Sequence, residues 1–285
     1  MATLKPAMTV ATNNNVGLRP CVRRTIVVVV ACVGLTLAAG LFLALVSPEA
    51  GLMFDVLLVG TVLLAVAVFL QACLAYSLRD ASLLLFLAFF LSLGAEYSGV
   101  TWEFPFGAPY SYHDAMRPAL FNKVPLFIPF AWFVLAYVPL VFFRPWLCQG
   151  DEKKHGWIVL LSQAMWCGAC LTAVDLLLEP LAISVGAWTW HVEGPYLGIP
   201  LSNFAGWFLV SFLIYVAFFV LKKRASDSFE GLTVALDRLS VFGAIAFTAA
   251  ALIALWRVQT SLLPAVFVLP ILVPVCVFWF RVRFA

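Results

Sequence analysis

A chain of 285 residues with 64% hydrophobic and 11% charged side chains carries less than half the charge of a soluble domain, which is about 25% charged; a water-soluble fold is excluded. The net charge of +3 is too small to point to a nucleic-acid partner, and none is expected. Seven cysteines, mostly inside apolar runs, show no disulfide framework.

Residues 1–24 are polar, hold Lys5, Arg19, Arg23 and Arg24, and read as a cytoplasmic tail. Apolar runs near the length that spans a bilayer, about 20 residues, follow near 25–46, 52–76, 81–100, 124–143, 157–178, 200–221, 239–256 and 261–281. They predict an all-α polytopic membrane protein of about eight transmembrane helices, with residues 25–285 as a single bundle. Seven is the alternative count, because Pro264, Pro270 and Pro274 interrupt the final run. With eight spans and both termini cytoplasmic, only Arg117, Lys123 and Arg257 of the 17 lysines and arginines fall in outer segments, as the positive-inside rule requires. Loops 97–123 and 179–199 then lie on the outer side and are expected to form one lid over the bundle.

The two loops resemble each other. Val124-Pro125-Leu126 precedes Trp132 as Ile199-Pro200-Leu201 precedes Trp207, each Trp eight residues after its Val or Ile. Spans 3–4 and 5–6 are therefore expected as parallel repeats with a site at their interface, the alternative being two unrelated Pro/aromatic turns.

Ionisable groups inside a membrane chain mark candidate sites. Glu96 lies about 22 Å along the third span and Asp175 about 27 Å along the fifth, at 1.5 Å per residue, so both reach similar depths. Asp175 and Glu179 stand four apart, on one helix face. Carboxyls so placed in an apolar wall do not both ionise readily, and a carboxyl that keeps its proton can serve as a general acid. Glu96, Asp175 and Glu179 are accordingly the candidate catalytic residues. The plainer alternative pairs Glu96 with Arg117 or Lys123 and makes Glu179, ahead of Pro180, a helix end. Three histidines without ligand spacing give no metal site, and Trp166-Cys167-Gly168-Ala169-Cys170 reads as small packing residues in an apolar helix rather than a redox motif. Trp102, Phe104, Phe106, Tyr110, Tyr112, Trp188, Trp190 and Tyr196 crowd the two loops. They read either as an interfacial aromatic belt or as a wall that packs a polyene and steadies a cation through ring faces.

The strings GAEYSGVTWEFPFGAPYSY from Gly94, VPLFIPFAW from Val124, DLLLEP from Asp175, GAWTW from Gly186 and GIPLSNFAGW from Gly198 together resemble the carotenoid biosynthesis protein family of membrane proteins. Members of that family include carotenoid 1,2-hydratases acting on γ-carotene or bisanhydrobacterioruberin. The likeness covers roughly residues 80–221, and its motif positions fall on Glu96, Glu103, Asp175, Glu179 and Asn203. It implies an enzyme of carotenoid biosynthesis that hydrates the terminal ψ-end double bond of a long carotenoid without a cofactor. In that reading Asp175 or Glu96 donates the proton and the other, or Glu179, positions the water, with Asn203 holding it; the alternative for Asn203 is an ordinary helix N-cap. Trp102, Glu103, Phe106, Tyr110, Tyr112, Trp188, Trp190, Asn203 and Trp207 are then the expected substrate-binding residues. The alternatives are a ψ-end cyclase and a non-enzymatic carotenoid-binding or transport protein. The expected partners are the lipid bilayer, the apolar carotenoid and other enzymes of the pathway, and the expected location is a bacterial plasma membrane.

Overall fold

The computed structural model describes residues 50–143 and 156–222. The tail 1–24, the expected spans 25–46, 239–256 and 261–281, and with them the total span count and the sidedness of the termini, lie outside the described residues. Within them run five helices: α1 (Ala50–Ala75), α2 (Leu78–Trp102), α3 (Phe127–Phe142), α4 (Trp157–Ser184) and α5 (Leu201–Leu221). Four of these, α1, α2, α4 and α5, are long and apolar enough to cross a membrane; α3 is shorter. The protein is mostly helical and membrane-embedded.

Large apolar side chains on the outer faces point away from the protein. Val59, Phe86, Phe90, Trp166 and Leu213 are about half exposed, and Ile158 is 82% exposed. In water such a surface would aggregate; in lipid it is the solvated face. The inward faces carry the core, with Trp132, Phe133, Leu140, Leu171, Tyr215 and Phe218 almost fully buried. Helix α3 packs between α1, α2 and α4, while α4 and α5 form the most extensive helix pair.

Helix α2 begins where Ser77, in extended conformation, accepts a bond from the Asp80 N–H at 3.1 Å. This side-chain cap places the acidic Asp80 at the positive end of the helix. The helix closes at Glu103, which adopts φ 63° and returns its N–H to the Gly99 carbonyl. Helix α4 runs past its expected end at 178. Pro180 has no N–H to give the Leu176 carbonyl one turn back, and the Tyr196 hydroxyl supplies that bond at 2.8 Å. The helix therefore continues through Pro180 to Ser184, and Glu179 sits inside it rather than marking its end.

The connections contain short strands, a small departure from an all-α chain. Strands β1 (Tyr110–Tyr112) and β4 (Trp188–Trp190) pair antiparallel across the two loops, with Tyr110 opposite Trp190 and Tyr112 opposite Trp188. Strands β2 (Ala119–Leu120) and β3 (Val124–Pro125) form a second pair leading into α3.

Phe106, 2% exposed, pins the first loop to the bundle. It lies where a Cβ on Gly99 of α2 would come within 2.6 Å of its ring and a Cβ on Gly206 of α5 within 2.7 Å. Two glycines on facing helices thus make the slot for one aromatic ring. Gly99→Ala is expected to destabilise the fold by about 1–3 kcal/mol through overpacking, measured as a lower thermal unfolding midpoint in detergent. An unchanged midpoint would show that the ring has room to shift.

Candidate functional site

Beneath the β1–β4 pair lies a cavity of about 50 Å³, lined by Glu96 of α2, Glu179 of α4, Asn203 of α5, the four aromatic side chains of β1 and β4, and Phe106, Trp132 and Trp207. At about 10–15 Å³ for each water, it has room for a few water molecules. Alternation along a strand puts Tyr110 and Tyr112 on one face and Ser111 on the other. The cross-strand partners Trp190 and Trp188 meet them ring to ring, at 4.9 and 6.0 Å between centroids.

Each carboxyl is held by aromatic donors from the strand that follows its own helix. Glu96 Oε2 accepts from the Tyr110 hydroxyl at 2.7 Å and the Tyr112 hydroxyl at 2.6 Å. Its Oε1 accepts from Trp132 Nε1 at 2.9 Å. Glu179 Oε1 accepts from Trp188 Nε1 at 2.7 Å and Trp190 Nε1 at 2.6 Å. Trp132 and Trp207 stack face to face, 3.8 Å between centroids at 14°. Burial, and then the neighbouring Glu96 charge, pushes the Tyr110 and Tyr112 hydroxyls above the usual phenol range, so both stay O–H donors.

An indole N–H can only donate. With two indoles on Oε1 of Glu179, a proton on that carboxyl must sit on Oε2, which has no partner among the described residues. Glu96 differs: three donors occupy three of the roughly four lone-pair directions of a carboxylate, leaving one for a water.

Asp175 is fully buried but stands behind the cavity wall. Its Oδ2 accepts from Asn203 Nδ2 at 3.2 Å, and its Oδ1 is buried without a hydrogen-bond partner among the described residues. Asn203 is not the N-cap of α5, which is Pro200; its amide bridges Asp175 and the chamber.

No ion pair to these acids occurs among the described residues, where Arg79–Asp80 pairs at 3.2 Å at the start of α2. Lys123 instead donates to Thr101 Oγ1 at 2.9 Å, and Arg117 Nε to the Asp114 carbonyl at 3.2 Å. Of the expected site residues, Glu96, Glu179, Phe106, Tyr110, Tyr112, Trp188, Trp190, Asn203 and Trp207 line the one chamber. Trp102 and Glu103 do not: both are exposed at the end of α2. Trp132, absent from the expected site, is in it; the Val/Ile-to-Trp spacing of eight was its signal. Among the described residues no three His, Cys, Asp or Glu side chains stand together as a metal-binding group.

The family described as carotenoid biosynthesis protein matches residues 54–278. Among curated proteins, the bisanhydrobacterioruberin hydratase of Haloarcula japonica is 32% identical over 134 residues, covering 46% of this chain and 42% of that protein. The match thus spans less than half the length of that relative. No solved structure matches.

Proposed function

Because the chain belongs to the carotenoid biosynthesis protein family, we propose that it is a cofactor-independent carotenoid hydratase, adding water across the terminal ψ-end 1,2 double bond of a long carotenoid. The name of the Haloarcula relative supports the reaction class. The observation that carries the reading is the pair of differently dressed carboxyls, Glu179 with one unpartnered oxygen and Glu96 with one lone-pair direction to spare, on a single cavity.

The roles follow from those partners. Glu179 Oε2–H gives its proton to C2 as the π electrons form the C2–H bond, leaving a tertiary cation at C1. The faces of the stacked Trp132 and Trp207 and the β1–β4 rings lie around that position and favour positive charge. A water held by Glu96, with the Asn203 amide oxygen beside it, forms the C1–O bond and releases its extra proton to Glu96. Transfer through a cavity water from Glu96 to Glu179 restores the starting state, so one water is consumed and no net proton. Asp175 does not line the chamber and in this reading positions Asn203; of the two carboxyls that do line it, Glu179, with its unpartnered oxygen, is assigned as the acid in place of Asp175 or Glu96. A cavity this small seats an end group only when the aromatic wall gives way.

The correspondence between the two halves favours a repeat. Glu96 and Glu179, β1 and β4, and Trp132 and Trp207 occupy matching places, and we read α2–α3 and α4–α5 as parallel repeats meeting at the site. In the same reading the chain has eight spans with both termini cytoplasmic, the paired loops form its lid, and a plasma membrane, bacterial in origin, houses it beside the enzymes that supply the carotenoid.

Expression in cells that accumulate γ-carotene or lycopene tests the proposal. The expected result is a more polar, hydroxylated carotenoid heavier by one water. A product of unchanged mass would make the chain a ψ-end cyclase, and recovery of only the starting carotenoid would make it a binding or transport protein.

A further inference from the structure

A second cavity, about 190 Å³, lies on the loop side, lined by Ser111, His113, Asp114, Arg117, Asn122 and Lys123 among others. Its lining is as polar as that of the chamber is aromatic. The two linings share a single residue, Tyr112. They are also stacked along one helix: Glu96 of α2 faces the chamber, while Val100, four residues on and on the same helix face, lines the cleft. Four residues of helix are about 6 Å. The partition between the cavities is thus one strand thick. Strand β1 turns Tyr110 and Tyr112 toward the chamber and the exposed Ser111 toward the cleft.

Hydration of an alkene consumes one water for every product molecule, and hydrocarbon supplies none. The chamber walls are mostly apolar, so its water must arrive from an aqueous face. The cleft is the neighbouring polar space, large enough for several waters at about 10–15 Å³ each. Its charged side chains are not locked to one another: Lys123 is tethered to Thr101 and Arg117 to a backbone carbonyl. The hydroxyl of the shared residue donates to Glu96 Oε2, the carboxyl assigned to hold the reacting water.

We propose that this cleft is the water inlet of the chamber, with β1 as the partition and the Tyr112 side chain as its gate. The inference rests on the hydratase reading. Water passes from the cleft around the Tyr112 ring to the free lone-pair direction of Glu96, while the carotenoid occupies the apolar side. Tyr112 acts here as a positioning residue, admitting and aligning water rather than exchanging a proton with substrate.

The test uses the full-length protein in membrane vesicles loaded with γ-carotene. Ser111→Cys and, separately, Asn122→Cys are treated with a bulky membrane-impermeant maleimide, with the wild type treated in parallel to account for its own cysteines. Each labelled variant is compared with the same variant untreated. The expected result is labelling at the new cysteine, loss of the hydrated product and an unchanged amount of bound carotenoid. Complete labelling with undiminished hydration overturns the inlet, as does failure of the reagent to reach either position. Loss of bound carotenoid along with product also overturns it, since the block would then act on the substrate. If the untreated wild type forms no hydrated product, the hydratase reading itself fails and the inlet with it, a result distinct from the other three.

Discussion

Glu179→Gln is expected to lower the hydration rate by roughly 10²–10⁴-fold, the usual contribution of a positioned general acid, while leaving the protein folded and able to bind carotenoid. The side-chain oxygen of glutamine can still accept both indole N–H groups of Trp188 and Trp190, which hold Glu179 Oε1 at 2.7 and 2.6 Å. Its NH₂ then occupies the Oε2 position, where it offers no proton acidic enough to transfer. Shape and the two hydrogen bonds survive; the acid does not. Product per cell and the thermal unfolding midpoint of the purified variant, measured together, check both halves. Wild-type product from the variant would remove Glu179 from the mechanism.

Glu96→Gln is expected to be the second severe lesion, with a fall in rate of about 10²-fold or more through loss of the group that takes the water's proton. The partners again decide whether it folds. Trp132 Nε1 can only donate, so the glutamine oxygen must face it, and the NH₂ then faces Tyr110 and Tyr112, whose hydroxyls can turn to accept. Glu96→Ala has no such solution. It strands three donors in a buried site, at about 1–3 kcal/mol for each unsatisfied group, and is expected to reduce the amount of folded protein. A folded, inactive glutamine variant beside a poorly folded alanine variant is the predicted pair of outcomes. A fully active Glu96→Gln would leave the captured water without its proton acceptor.

Much of this site is legible in the sequence because charge is costly in an apolar chain. Glu96, Asp175 and Glu179 stand out in runs that otherwise avoid charge, and the aromatic strings around them mark where the chain leaves regular helix. Hydropathy places the helices, since 52–76, 81–100 and 200–221 fall within a few residues of α1, α2 and α5. The expected 124–143 is as close to α3, and only the end of α4 is less legible, at Ser184 rather than 178. Pro180 reads as a stop until a distant tyrosine hydroxyl, that of Tyr196, is known to serve the orphaned Leu176 carbonyl. A strand of two or three residues has no periodicity to read, so the β1–β4 pairing that assembles the aromatic wall is invisible beforehand. For the same reason the sequence does not separate Glu179, on the chamber, from Asp175, one turn earlier and behind Asn203. The two share one face of α4, and the distinction depends on how far along that face the chamber reaches and on Asn203 of α5 packing in front of Asp175.

Helix α3 has 16 residues, about 24 Å of rise, against the roughly 30 Å of hydrocarbon that a full crossing needs. On the proposed reading, in which α3 is one of the crossings, the β2–β3 ribbon at its head would extend it, placing irregular backbone at acyl-chain depth, tolerable only where protein shields it from lipid tails. On the same reading Glu96 and Glu179 lie below the headgroup plane rather than above it. The long carotenoid of the proposed reaction would then reach them by sliding sideways out of the leaflet, with most of its length still dissolved among the lipids and no soluble carrier required.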